Sequence, residues 1–285
     1  MAAGAPEMII GLVAGRGELP ALVARGARAS GHPVHVVQLE GFGSTSRFDA
    51  PAMTFPLGSF GGYTRWMREA GVTHVCLAGQ VERPDFGELR PDLKGLKVLP
   101  SLIKAARDGD DALLQALLRA MQSEGFEVLA PQDVAASLLA PSGQFGAIAS
   151  APTGQARADV IKACEIAREM GRLDIGQACV VSDGLVLAVE AQEGTSAMLR
   201  RVAELPEAIR GTPASRRGIL AKTVKPGQDT RVDLPTIGPE TVELADRAGL
   251  AGIVVEAGQA FVIDRDAVVA HADRAGIFLL GLPPG

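Results

Sequence analysis

The chain has little with which to stack bases: one tryptophan and one tyrosine in 285 residues, with aromatics at 4%. Platforms for single-stranded nucleic acid need successive aromatic faces. A formal net charge of -5 also removes the bulk attraction to phosphate backbones. Nucleic acid is therefore set aside as a partner. Cysteine is equally scarce. Cys76, Cys164 and Cys179 lie far apart, with no CxxC spacing, which argues against a disulfide framework or a zinc site and fits a reducing cytosol. They read as small buried apolar residues. No run of about 18 uncharged apolar residues occurs, so no membrane-spanning helix is expected. The opening "MAAGAPEMIIGLVAG" lacks the basic start of a secretory signal. There is no G-x-S-x-G elbow and no Walker A lysine motif. His32, His35, His74 and His271 have no metal-ligand spacing.

What is present is apolar content of 47%, enough for substantial cores, in a chain long enough for two domains. "MIIGLVAG" reads as a buried strand ending in glycine, followed by a Gly-rich turn, a helix and a strand over 35–39. That is a βαβ unit, with a right-handed crossover. A helix over 62–70, a strand over 73–78 ending at Gly79-Gln80, two helices flanking Gly109 and a strand over 127–129 follow. Residues 1–135 thus read as a Rossmann-like, doubly wound parallel sheet of at least four strands. The Ser-, Pro- and Gly-rich stretch 136–155 reads as a linker. Residues 156–285 read as a mixed α/β (α+β) domain. It opens with a helix over 156–170, then a hairpin turning at "SDG", and closes with helix, strand, turn, strand, helix, strand.

Several motifs carry possible chemistry. Gly15, Arg16 and Gly17 sit between a strand and a helix, where main-chain N–H groups suit phosphate. Pro20 stands where a G-x-G-x-x-G fingerprint needs its last glycine, so a dinucleotide site touching Glu40 is the weaker reading. Asp110 and Asp111 fit a helix N-cap, and Thr195 fits another. Asp183 and Glu190 lie near strand ends. The densest charge is in "KTVKPGQDTRVDLPTIGPET", 222–241, where Lys222, Lys225, Asp229, Arg231 and Asp233 crowd among prolines and glycines. Carboxylate oxygens suit Mg²⁺, and the cations suit phosphate oxygens. Asp229 and Asp233 are about 13 Å apart on a fully extended strand, so sharing one ion requires a bend between them.

Together "GLVAGRGELP", "GDDALL", "DIGQACVVSDGLVLAVEAQEGTSAML" and "LAKTVKPGQDTRVDLPTIGPET" resemble the LpxI-type UDP-2,3-diacylglucosamine pyrophosphatases of lipid A biosynthesis, in an alphaproteobacterial form. The resemblance covers nearly the whole chain. It implies Mg²⁺-dependent cleavage (Mn²⁺ as a substitute) of UDP-2,3-diacylglucosamine to UMP and 2,3-diacylglucosamine 1-phosphate, with water directed at the phosphorus nearer the sugar. It also implies two domains with the lipid in a cleft between them. Carried onto this chain, Asp229 and Asp233 would bind metal or orient water, and Lys222, Lys225 and Arg231 would neutralise the pyrophosphate. Gly15, Arg16, Gly17, Gly79, Gln80, Thr153, Asp183 and Thr236 would contact substrate. A cytoplasmic protein with a diacyl substrate and no anchor points to weak peripheral contact with the inner face of the inner membrane, although no basic amphipathic helix stands out. The rivals are a nucleotide- or dinucleotide-dependent oxidoreductase and a non-catalytic sugar-nucleotide binding protein. Oligomeric state is left open.

Overall fold

The computed structural model describes residues 8–82, 84–147, 152, 154–225 and 234–285. The chain divides into two units, Met1–Ser137 and Leu138–Gly285.

The first unit runs β1 (Ile10–Ala14), α1 (Leu19–Ala29), β2 (Val34–Leu39), β3 (Ala52–Phe55), α2 (Phe60–Glu69), β4 (His74–Ala78), α3 (Leu93–Asp108), α4 (Asp110–Ser123), β5 (Glu127–Leu129) and α5 (Pro131–Val134). Its sheet has the order β3-β2-β1-β4-β5, every pair parallel. β1 lies at the centre because "IGLVA" is apolar throughout and buried at every position, as a strand covered on both faces must be. Gly11 is required there: a Cβ would lie 2.5 Å from the Met67 sulfur of α2. The edge strand β3 was not foreseen, being short and half exposed.

Asp110 and Asp111 open α4 as its first helical residues, and Gly109 is the N-cap, so the expected side-chain cap gives way to a glycine with φ of 128°. Glu124, just past α4, ties α2 to α3 by accepting from Arg68 Nη2 at 2.7 Å and Lys94 Nζ at 2.5 Å. The Lys94 hydrogen bond holds the Glu124 carboxyl below the usual range, opposed by burial and helped by Arg68. A depressed folded pKa stabilises above the unfolded value and is lost as pH falls through the folded one. Glu124→Gln should therefore cost about 1 kcal/mol at pH 7, the partners being partly exposed. That difference should shrink once pH falls below the free glutamate value of about 4.3 and disappear as the folded carboxyl itself is protonated, which urea unfolding at pH 7 and pH 3 follows.

The second unit runs β6 (Gly143–Gln144), α6 (Gly154–Arg172), β7 (Ala178–Ser182), β8 (Leu185–Val189), α7 (Gly194–Glu204), α8 (Glu207–Arg210), β9 (Gly211–Thr212), β10 (Ser215–Arg216), β11 (Ile219–Lys222), β12 (Thr236–Ile237), α9 (Pro239–Arg247), β13 (Gly252–Glu256), β14 (Phe261–Val262), α10 (Arg265–Ala275) and β15 (Phe278–Leu282). β6 falls inside the stretch read as linker and pairs with β15. The main sheet has the order β6-β15-β13-β11-β7-β8. β11, β13 and β15 are parallel, flanked by antiparallel neighbours.

Alternation along the central strands divides the core into two layers. Leu220, Ile253 and Val255 pack with Met198 and Leu199 of α7 and with α9 and α10 residues. Ile219, Ala221 and Val254 pack with Val160, Ala163, Cys164 and Ala167 of α6. All three cysteines are buried and unpaired, as their isolation in sequence implies. Burial pushes the Cys164 thiol up to about 11 and Cys179 to about 12. No helix among the described residues is long and apolar enough to cross a membrane.

Candidate active site

The same alternation decides where the charged strand ends point. Lys222 is two residues beyond Leu220 and so faces the α7 layer. Glu256 is two beyond Val254 and faces α6. Lys222 is 5% exposed and Glu256 4%. Isolated charges at such depth would cost several kcal/mol each, so each must have partners.

Lys222 Nζ donates to Thr195 Oγ1 at 2.8 Å and to the Thr236 carbonyl at 3.1 Å. Thr195 Oγ1 in turn donates to Glu190 Oε1 at 2.6 Å. The other Glu190 oxygen accepts the Gln177 N–H at 3.2 Å. The result is a buried cation, hydroxyl and carboxylate in series. Thr195 is not the N-cap expected of it. α7 starts at Gly194 with Glu193 in the cap position, which frees the threonine hydroxyl for the ammonium. On the other face, Arg168 Nε and Nη2 donate to Glu256 Oε1 at 3.1 and 2.9 Å. Glu256 Oε2 accepts the Val224 N–H at 2.8 Å. Glu256 thereby fixes the chain as it leaves β11 toward residues 226–233.

This edge holds the C-terminal ends of β11 and β13, where open α/β sheets take their ligands. A desolvated ammonium there can stabilise charge that develops on a phosphate oxygen. Thr195 and Glu190 orient it.

The other expected site residues fall in several places. Lys225 donates to Asp174 Oδ1 at 2.8 Å, so it is an ion-paired lysine. Asp183 has φ of 48° and forms the β7–β8 turn with Gly184. The turn N–H groups of both residues donate to the buried Asp159 carboxylate at 2.8 Å. The Asp183 side chain pairs with Arg217 at 3.3 Å. Because β7 runs antiparallel to β11, Asp183 stands opposite Arg217, roughly 16 Å along the strand from Lys222. It is not part of the Lys222 group. Asp229, Arg231, Asp233 and Thr153 lie outside the described residues.

In the first unit, the turns after β1 and β4 are brought together at the point where strand order reverses. Arg16 N–H donates to the Gln80 carbonyl at 2.7 Å, and Gln80 N–H to the Arg16 carbonyl at 3.1 Å. Those two donors are spent on each other, leaving the exposed side chains of Arg16 and Gln80 as the groups offered to solvent. Arg16 itself ion-pairs with Glu82. Arg47 donates to the carbonyls of Gly17 and Gly15 at 2.6 and 2.5 Å. A Cβ on Gly15 would lie 2.4 Å from the Gln80 carbonyl oxygen, which is backbone and cannot swing away. Gly15→Ala should therefore cost several kcal/mol and drop the melting temperature, whereas Gly17→Ala meets no atom within 4 Å and is strained only by its φ of 85°.

Among the described residues, no group of three or more His, Cys, Asp or Glu gathers to hold a metal. Glu190 and Glu256 are each committed to donors, so the described residues do not by themselves form a Mg²⁺ site. Sequence reasoning noted Glu190 at a strand end but missed Arg168 and Glu256. The only signal for them was a carboxylate closing the apolar strand "GIVVE".

The two units define a two-domain α/β protein, one with a five-stranded parallel sheet and one with a mixed sheet and a buried lysine at its strand ends. The LpxI N-terminal domain matches residues 9–138 and the LpxI C-terminal domain residues 143–280. The chain belongs to the LpxI family. It is 53% identical over 275 residues to the UDP-2,3-diacylglucosamine pyrophosphatase LpxI of Caulobacter vibrioides, covering 96% of this chain and 98% of that protein. Among solved structures, a UDP-glucose-4-epimerase from Stenotrophomonas maltophila aligns at TM-score 0.30 and 16% identity over 43% of this chain and 36% of that one. CobK precorrin-6A reductase aligns at TM-score 0.32 and 13% identity over 98% and 89%. At TM-scores of this size neither relation bears on fold or function.

Proposed function

We infer that this chain hydrolyses the pyrophosphate bond of UDP-2,3-diacylglucosamine to UMP and 2,3-diacylglucosamine 1-phosphate, the lipid X of lipid A biosynthesis. The observation that carries this is the 53% identity, across nearly the full length of both chains, to a protein of that activity. In the reaction water adds to one phosphorus, the bridging P–O bond breaks, and the bridging oxygen leaves with the other phosphate. Lys222, held by Thr195 and the Thr236 carbonyl, would neutralise charge on the phosphate oxygens as that bond breaks. Arg231 and Lys225 would add to the cationic field, Lys225 after giving up Asp174. Arg16 and Gln80, beside the switch point of the first sheet, would meet the uridylyl portion.

We further propose dependence on Mg²⁺, with Mn²⁺ as a substitute, and assign Asp229 and Asp233 as ligands. What supports this is two carboxylates set among cations in one short stretch of sequence. The reaction would take place at the inner face of the inner membrane, where a diacyl substrate resides.

The experiment is incubation of the purified chain with UDP-2,3-diacylglucosamine in the presence of Mg²⁺ or of EDTA, following UMP. Release with Mg²⁺ and its loss in EDTA are expected. Equal release in both would remove the metal assignment while keeping the hydrolase. Tight binding with no release would leave a sugar-nucleotide binding protein.

A further inference from the structure

α3 is a helix for local reasons. Asp92 caps it by accepting the Gly95 N–H at 2.8 Å, and its other oxygen accepts the Gly62 N–H of α2 at 2.8 Å. What is unusual is how little of it is covered: over Leu93–Asp108 the buried residues are Gly95 and Ala106. Leu93 is 83% exposed and Leu96 55%. Positions 93, 96, 99, 100 and 103 recur at helical spacing and form one apolar face. A shallow trough of about 410 Å³ runs along it, lined by Leu96, Leu99, Pro100, Ile103, Lys104 and Arg107.

One border of that face is cationic, and a further cation closes its C-terminal end. Lys97 and Lys104 lie along the border and Arg107 at the end, and among the described residues none of them has a carboxylate partner, whereas Lys94 is engaged by Glu124. The sequence pattern hid this basic amphipathic helix because Gly95 and Pro100 interrupt it as breakers. An apolar stripe edged by unpaired cations is the composition of a helix that lies in a lipid interface. The charge also argues against the alternative of a second copy. A two-fold contact through this face would set the same cations against one another.

We propose that α3 docks the protein on an anionic lipid bilayer. Leu93, Leu96, Leu99 and Ile103 enter the headgroup boundary while Lys97, Lys104 and Arg107 meet lipid phosphates. The proposal rests on the hydrolase reading only for its purpose, which is to bring the protein to a diacyl substrate held in that bilayer.

Co-sedimentation with vesicles free of sugar nucleotide tests docking independently of hydrolysis. The wild-type chain should bind phosphatidylglycerol-containing vesicles, not pure phosphatidylcholine vesicles, and salt should weaken the binding. Lys97→Gln/Lys104→Gln should weaken partitioning roughly 25-fold, at about a fivefold loss per cation. Leu96→Glu/Ile103→Glu should abolish it. Both variants should keep wild-type hydrolysis of detergent-dispersed substrate, which also shows that they fold. Absence of wild-type binding to anionic vesicles would overturn the proposal, as would binding unchanged in both variants. So would a wild-type dimer that Leu96→Glu/Ile103→Glu dissociates without any effect on lipid.

Discussion

Lys222→Met should slow UMP release by roughly 100- to 1,000-fold, the usual loss when one preorganised group that stabilises developing charge is removed. The same change should also destabilise the fold, because Glu190, 6% exposed, would be left buried without its cation. The two charges meet only through the Thr195 hydroxyl, so the loss should be about 1–3 kcal/mol, the cost of unmaking a buried hydrogen bond to a charged group. The two effects are separable. Thr195 bridges the lysine and the glutamate, so Lys222→Met/Glu190→Gln removes both charges together and should regain most of the lost stability without regaining activity. Chemical denaturation and steady-state kinetics on the single and double variants check this. If the double variant recovered turnover along with stability, Lys222 would be a structural group alone.

Asp229→Ala should abolish hydrolysis, at least about 1,000-fold, if a carboxylate of this segment holds the metal or the attacking water. Affinity for the substrate should change little if Asp229 acts on the metal or the water rather than on the substrate itself. The residue lies outside the described structure, so the expectation stands on sequence and on what surrounds the segment. Lys222 and Glu256 fix its start at the strand ends, and Thr236 fixes its return. Equilibrium binding of intact substrate to the variant, beside its turnover, is the check. Near-normal turnover at saturating Mg²⁺ would transfer the role away from Asp229.

The strands were readable wherever a strand is fully buried. "MIIGLVAG" and "THVCLAG" carry continuous apolar runs stopped by glycine, and they became the adjacent centre strands β1 and β4. β3 escaped notice because "AMTF" is half exposed and sits between Pro51 and Pro56, which read as a loop. The hairpin at "SDG" was legible because aspartate and glycine tolerate the left-handed backbone found there. Which end of the sheet that hairpin faces was not. It depends on β7 running antiparallel to β11, a long-range fact with no local signature.

The site divides along the same line. Lys222 was legible as a charge ending the apolar run "ILA". Its partners were not, since Thr195 lies 27 residues away and reaches it only through the sheet. Thr195 was misread as a cap for the same reason: within its own segment, capping is the only partner a threonine before a helix can show. The glycines of the first unit were legible as turn formers. Their neighbours were not, and those neighbours matter, because the β1 and β4 turns satisfy each other's N–H groups.

The most direct measurement is the initial rate of UMP release from UDP-2,3-diacylglucosamine by the wild-type chain, beside Lys222→Met/Glu190→Gln prepared identically and shown to be folded. Rapid release by the first and a loss of about 100-fold or more in the second is what the account predicts. No UMP from the wild-type chain would contradict the function, and equal rates would contradict the site.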